Sequence, residues 1–455
     1  SSDLTSILDM GTNVLSGSFS NTGLGLIKTA NTTATPIPSG KTWINTVVYN
    51  ATTGGQSVVT GTYASLSLDN SSGTQTALGN LTISNKLNIV NDSPTFKMNG
   101  YNLSVGDFNI TTSDAIIDMA GGSLSYTAIT SMDGTISFSG ATNGKAIPAG
   151  TVEYYGATQT VGPGTYNDIT FTGTGPYSVN SDVVANNELL INTGELTVQD
   201  GVSITVEDVV KVNIPGTFIL ENNASLVQIN DVTNVGSITY NRNTTSMNNF
   251  DYTYWSSPVS GQTLYNLSPN TLSDKYHSFT DPDWIDELGS NPMIAGKGYA
   301  IRAPQGYTAT PQVFNGEFVG VPNNGNIPAS VAGFNPMLLN YNFLANPYPS
   351  AISVITLLDN SNLGTLYFWT HNSAITNNVF TSSDYAIRTR TTGTAAVTGG
   401  TAPGLYITAG QGFFASAATT TTINFTNAMR VAGNNLQFYR NTQDVPLNYY
   451  VDRKS

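Results

Sequence analysis

Two distant stretches of this sequence are copies of one another, and that limits what the chain can fold into. Residues Thr46–Leu68 read TVVYNATTGGQSVVTGTYASLSL, and Thr151–Phe171 read TVEYYGATQTVGPGTYNDITF. Tyr49 aligns with Tyr154, Gly61-Thr62-Tyr63 with Gly164-Thr165-Tyr166, and Leu66 and Leu68 with Ile169 and Phe171. The match continues with Asn85-Lys86-Leu87-Asn88-Ile89 against Asn187-Glu188-Leu189-Leu190-Ile191, and with Leu103–Asp107 against Ile204–Asp208. A unit of roughly a hundred residues therefore occurs twice, and shorter strand–turn units recur inside it at roughly 16–22 residues.

The strands within each unit are short and alternate strictly, as in Leu81-Thr82-Ile83, Leu87-Asn88-Ile89 and Leu103-Ser104-Val105, with Gly, Asn and Asp between them. Such brief strands pair weakly alone. Stacked as coils, they bury their inward Leu, Ile and Val in one column. The expected fold class is all-β: a repetitive, parallel β-helix-like solenoid over 46–240, then a β-sandwich or jelly-roll-like domain over 241–455. Residues 1–45 form a polar lead-in that serves as cap or linker. Two tandem β-sandwiches are the competing architecture for the first half, although their strands are usually longer. A solenoid end needs a cap, from either the lead-in or the C-terminal domain.

Composition narrows the function classes. Only 10% of residues are charged and 39% are hydrophobic, with Asn, Thr, Ser and Gly doing the solvating; these residues favour turns and β edges over helices. There is no cysteine, hence no disulfide and no thiolate metal site. No run of eighteen apolar residues occurs, so no membrane span is expected. No basic, apolar signal peptide opens the sequence; Ser1 is expected to be the start of a mature chain whose signal was removed. The net charge of −13 is uneven: up to Tyr240 there are 6 Lys, no Arg and 18 acidic residues, and from Asn241 onward 10 basic and 11 acidic. An acidic, Arg-free half argues against nucleic acid and against an anionic membrane surface.

From Phe250 aromatics become dense and Pro recurs. About nine strands are expected, among them Tyr252–Trp255, Leu338–Ala345, Tyr385–Arg388 and Thr421–Phe425. Asn340–Ile352, NYNFLANPYPSAI, is the hub. Asn346-Pro347-Tyr348-Pro349 stops a strand and makes a rigid corner, with a cis bond considered at one X-Pro. Ser350–Leu358 is the one expected helix, with Ser350 as its N-cap.

Read together, YTYWSSPV (Tyr252–Val259), SDKYHSF (Ser273–Phe279), GKGYAIRAP (Gly296–Pro304), NYNFLANPYPSAI, LYFWTHN (Leu366–Asn372), SSDYA (Ser382–Ala386), GQGFFASA (Gly410–Ala417) and FTNAMR (Phe425–Arg430) resemble a region of large secreted surface proteins of Bacteroidota. The chain is similar to gliding-type adhesins and other cargo of the type IX secretion system. The resemblance covers about 225–455, and the repeat half resembles the solenoid stretches that precede this region. It implies secretion, a cell-surface location and handling by that secretion machinery. Such cargo usually ends in a sorting domain with a YPNP-like start. None follows Arg430, and Tyr449–Ser455 stops in what looks like mid-strand, so the sequence is expected to be a processed piece.

Chemistry is sparse. His277 and His371 are the only histidines, and there is no GxSxG, HExxH or P-loop. Asp281, Asp283 and Asp286 alternate near a turn and are the candidate Ca2+ ligands, since Ca2+ takes six to eight oxygens. The spacing is not that of an EF-hand; the plainer reading is a solvated turn with Trp284 tucked into the core. A glycosidase-like carboxylate pair including Glu317 has nothing in the sequence to support it. Trp255, Tyr367, Trp369 and Phe413 are the candidate ligand or interface residues, because aromatic faces suit pyranose rings; the alternative is that they are core. The expected function is a non-enzymatic extracellular structural or adhesive protein, a self-assembling fibre subunit being one variant. The alternative is a carbohydrate-binding module on a solenoid spacer. A polysaccharide-active β-helix enzyme fits less well, because such sites place acids and basic residues along one solenoid face. Expected partners are further copies of the chain or surface glycans, with no cofactor other than Ca2+.

Overall fold

The computed structural model describes residues 6–18, 22, 25–53, 55–71, 73–91, 95–141, 144–335, 340–373, 380–436 and 438. The fold is nearly all β, 47% strand and 4% helix, and holds a β-solenoid of about 11 turns. The chain divides into two compact units, Ser1–Leu196 and Thr197–Ser455.

In the first unit the chain winds between two parallel sheets. One runs Ser6–Asp9, Gly25–Thr29, Lys41–Tyr49, Gly61–Leu68, Leu81–Ile89, Leu103–Ile110 and Leu124–Met132, each strand beside the next in the sequence of that sheet. The other begins at Gln56–Val58 and passes through Thr95–Lys97, Ile116–Ala120, Thr135–Phe138, Thr151–Tyr154 and Asp168–Phe171 to Leu189–Ile191. Strand alternation turns every second side chain inward. The parallel register then stacks Phe96, Ile117, Ile136, Val152, Ile169 and Leu189 into one buried column. Each such side chain contributes about 1.5–3 kcal/mol by leaving water, so the column stabilises strands too short to pair alone.

The duplicated stretches make the same turn twice. In the first, the Tyr63 hydroxyl donates to Val59 O (2.6 Å), Tyr49 Oη accepts from Val59 N (3.3 Å), and the two hydroxyls lie 3.4 Å apart. In the second, Tyr166 donates to Gly162 O (2.6 Å), Tyr154 accepts from Gly162 N (3.0 Å), and the hydroxyls are 2.8 Å apart. A buried glutamine completes each turn. Gln56 accepts from Ala51 N and donates to Thr29 O and Asn31 O. Gln159 accepts from Gly156 N and donates to Phe138 O and Gly140 O. Buried backbone polar groups need such partners.

The second unit opens with further parallel pairs, Ser203–Val206 on Ser225–Gln228 and Thr217–Leu220 on Ile238–Asn243. Ile238–Asn243 then pairs antiparallel on its other side with Asn315–Pro322. That strand is where the parallel ladder ends and an antiparallel one begins, which covers an otherwise open edge. Beyond it lie antiparallel sheets. Tyr252–Trp255, Tyr299–Arg302, Tyr276–Thr280 and Asp283–Asp286 make one; Asn342–Ala345, Gly412–Ala417, Leu363–Trp369, Tyr385–Arg388 and Gly393–Thr394 make another. They are compatible with the expected sandwich-like second part. The start of the expected strand at 338–339 and the tail at 449–455 lie outside the described residues.

The Asn346–Pro349 corner is buried, and both its X-Pro bonds are trans; the cis bonds among the described residues are Gly175-Pro176, Ile214-Pro215 and Asp281-Pro282. The Asn346 amide reaches Ser350 O, Ile407 O and Thr408 O, and its Oδ1 accepts from Tyr348 N. Pro349 O accepts from Leu226 N at 2.8 Å, and the Tyr348 hydroxyl donates to Gly325 O at 2.6 Å. The helix lies later than expected, at Val354–Asp359, with Ser353 rather than Ser350 as N-cap. Ala351–Ser353 is a strand held between Tyr406–Ile407 and Arg430–Val431. Sheet pairing on both edges outcompetes a first helical turn there.

Candidate ligand pocket

Alternation on two antiparallel sheets brings five aromatic rings to one cavity, and Phe380, outside the strands, adds a sixth. Tyr252 and Tyr254 share a face of Tyr252–Trp255, while Trp255, the last residue of the strand, is almost wholly buried, against Phe314, Phe318 and Phe438. In the hairpin of Tyr276–Thr280 and Asp283–Asp286, His277 stands opposite Asp286 and Phe279 opposite Trp284. Trp369 and Tyr385 are paired neighbours on adjacent strands. Phe380, Thr381 and Ser382 close one side, where Thr381 Oγ1 accepts from Ser383 N at 3.2 Å.

The result is a cavity of about 490 Å3 lined by Tyr252, Tyr254, His277, Trp284, Asp286, Ala300, Trp369, Phe380, Thr381, Ser382 and Tyr385. Trp369 is 5% exposed and forms the floor with Tyr254, the two rings stacked 6.0 Å apart at 21°. Trp284 and Phe380 are wall residues, 44% and 36% exposed. Phe380 stands at 78° to Trp369 and at 84° to Tyr252. Trp284 meets Tyr254 at 51°, and Tyr385 meets Trp369 at 59°. The rings therefore form a box with walls instead of a single flat platform.

The polar atoms are mostly committed to one another. His277 Nδ1 is 2.9 Å from Asp286 Oδ1, and its Nε2 is 3.3 Å from the Tyr252 hydroxyl. With Asp286 accepting from Nδ1–H, Nε2 is left to accept from Tyr252. Burial holds the His277 imidazolium below the ordinary histidine range, with Asp286 pulling the other way. Burial also pushes the Tyr252 hydroxyl up to about 12 and the Tyr254 hydroxyl well above its usual value. The Tyr254 and Tyr385 hydroxyls lie 2.6 Å apart. Among the described residues the lining holds one acidic side chain, that of Asp286, and chiefly ring faces otherwise.

Of the aromatic residues singled out in the sequence, the structure brings Trp369 to the pocket. Trp255 and Phe413 are core, Phe413 packing on Phe368 at 5.8 Å. Tyr367 is half-buried with its ring edge-on to Tyr341 at 5.5 Å. Trp284 lines the pocket rather than the core. The three aspartates separate: Asp281 Oδ2 accepts from Asn340 N at 2.9 Å, Asp283 is exposed, and Asp286 holds His277. Among the described residues, no group of three or more His, Cys, Asp and Glu is placed to hold a metal ion. Sequence reasoning missed Tyr252, Tyr254, His277, Phe380 and Tyr385. The usable signal was period two: Tyr252 and Tyr254 share a face that Trp255 does not.

No curated protein and no solved structure matches the chain. Residues 158–453, well over half of the sequence and including every pocket residue, fit the family described as Domain of unknown function (DUF8693), and the chain belongs to that family.

Proposed function

We propose that this is a non-enzymatic structural or adhesive protein of the cell exterior, in which the coils act as a spacer and the aromatic pocket holds a surface ligand. The observation that carries the reading is the pocket itself: six rings around about 490 Å3, with His277 already engaged by Asp286 and Tyr252. The resemblance of the motif series to secreted Bacteroidota surface proteins supports an extracellular setting and export by the type IX machinery. Removing a wall ring tests the pocket. Trp284→Ala, at an exposed position, is expected to lower binding of the labelled chain to bacterial cells or their extracellular polysaccharide by about 10-fold. Unchanged binding by a folded variant would sink the role of the pocket.

A carbohydrate-binding module is the second reading, favoured by the exposed ring of Trp284, which can lie on a pyranose. The fibre variant has its own observation. Among the described residues, Ser6–Asp9 ends its sheet with Ile7 and Leu8 58% and 48% exposed, an edge that a strand of a second copy can extend. Electron microscopy at rising concentration should then show filaments, and single rods at every concentration would remove that variant.

A further inference from the structure

The chemistry of the pocket says more than that something binds there. The face of an aromatic ring carries negative charge density and attracts cations. Here Tyr254 and Trp369 make a floor, and Phe380 rises from it at 78° to Trp369. Rings at steep mutual angles surround a rounded group from several sides, whereas a flat sugar ring needs one parallel face. The acidic lining group is the Asp286 carboxylate, and among the described residues no Lys or Arg lines the cavity. The neighbouring cations have their own partners: Lys275 Nζ is 3.0 Å from Asp274, and the Arg302 guanidinium lies over Phe250 at 5.7 Å.

A pyranose also needs hydrogen-bond partners for several hydroxyls. In this pocket the Tyr252 hydroxyl is engaged by His277, Tyr254 by Tyr385, and Thr381 by Ser383 N. A primary ammonium has three N–H donors to satisfy as it leaves water, and rings do that poorly. A fully methylated ammonium has no N–H donor, so it loses little by entering a box of rings.

We infer that the pocket binds a quaternary ammonium group of the trimethylammonium type, with the rings of Tyr252, Tyr254, Trp284, Trp369 and Phe380 around it and the Asp286 carboxylate at the rim. The inference rests on the reading of this cavity as the ligand site of the protein, and it names the ligand class for that site.

The test is a titration of the full chain, followed by tryptophan fluorescence and calorimetry, with three probes. These are choline, its uncharged carbon isostere in which a tert-butyl group replaces trimethylammonium, and a panel of methyl glycosides. Choline is expected to bind saturably, with the isostere weaker by on the order of 10-fold. Asp286→Asn, which keeps size and shape, should weaken choline by several-fold and leave the isostere unchanged. Trp284→Ala should weaken both, with circular dichroism reporting that each variant is folded. Equal binding of choline and isostere would overturn the cation inference while leaving an apolar ligand site. Glycoside binding without choline binding would overturn it in favour of the carbohydrate reading. Binding of none of the probes would overturn the cation inference, and the pocket as a ligand site falls with it only where Trp284→Ala also leaves binding to bacterial cells unchanged.

Discussion

Tyr254 and Trp255 are chain neighbours with different surroundings, one lining a cavity and the other packed among Phe314, Phe318 and Phe438. Aromatic density marks the region, but only the phase of alternation separates wall from core, and a strand start misplaced by one residue inverts it. His277 gives a direct check of the pocket electrostatics. Its burial disfavours the imidazolium and the Asp286 carboxylate favours it. An NMR titration should therefore show a His277 midpoint below the ordinary value of about 6.5. Asp286→Asn should lower it further, because the attraction is removed while burial stays. A midpoint that rises in that variant would contradict the contact. The chain has two histidines, so the assignment is simple. The buried arginines were less legible. Arg430 donates to Ser350 Oγ, Asn324 Oδ1, Asn427 Oδ1 and Leu226 O, and lies over the Tyr348 ring at 4.7 Å. All four acceptors are uncharged oxygens, and those of Ser350, Asn324 and Leu226 are far away in the sequence, so no local charge pattern announces the site.

At the scale of elements, the repeat was readable because its tyrosines and its Gly-Thr-Tyr step recur, whereas its glutamine was hidden by a change in spacing. Gln56 follows Tyr49 by seven residues and Gln159 follows Tyr154 by five, yet each precedes its second tyrosine, Tyr63 or Tyr166, by seven. Aligning from the first tyrosine loses the glutamine; aligning from the second keeps it. The deletion falls in the turn, where length is tolerated, and the hydrogen bonds of Gln159 to Gly156 N, Phe138 O and Gly140 O survive it. Gln159→Leu should consequently strand two backbone groups, Gly156 N and Gly140 O, since Phe138 O keeps its bond from Tyr155 N at 3.0 Å. At about 1–3 kcal/mol for a buried group left without its partner, a loss of about 2 kcal/mol or more in urea unfolding is expected. Gln159→Glu should do comparable harm, because a carboxylate cannot donate to the two carbonyls. A loss below about 1 kcal/mol for either would mean that water replaces the side chain readily. The helix near the corner failed in the opposite way: Ser350 and Ser353 are equal as capping residues, and the choice of Ser353 depends on strands at Tyr406–Ile407 and Arg430–Val431 that no local rule contains.

For the molecule as a whole, the second unit has to end a parallel ladder without leaving an edge. The first Arg of the sequence falls on the strand where this happens. Arg242 reaches Ala409 O, Asn222 Oδ1, Asn223 Oδ1 and Asn435 O, all within the second unit. Six residues of Ile238–Asn243 are in register with Asn315–Pro322, and Tyr240 and Arg242 are buried beneath the parts that follow. Low overall charge sharpens the need for a cover, since 10% charged residues provide few of the edge charges that otherwise deter pairing. A chain cut after Asn243 should therefore expose an unpaired strand and a buried guanidinium together, and light scattering should show it associating at concentrations where the full chain does not. Misfolding alone would give the same scattering, so a second variant is needed. Thr239→Lys places a charge on the outward-alternating face of the same strand, which opposes edge-to-edge pairing without touching the inward residues. If edge exposure is the cause, this substitution in the truncated chain should restore much of the monodisperse fraction, with its circular dichroism still that of a β protein. If the truncated chain is monodisperse without it, the antiparallel strand is not needed as a cover, and its role is to position the pocket sheets.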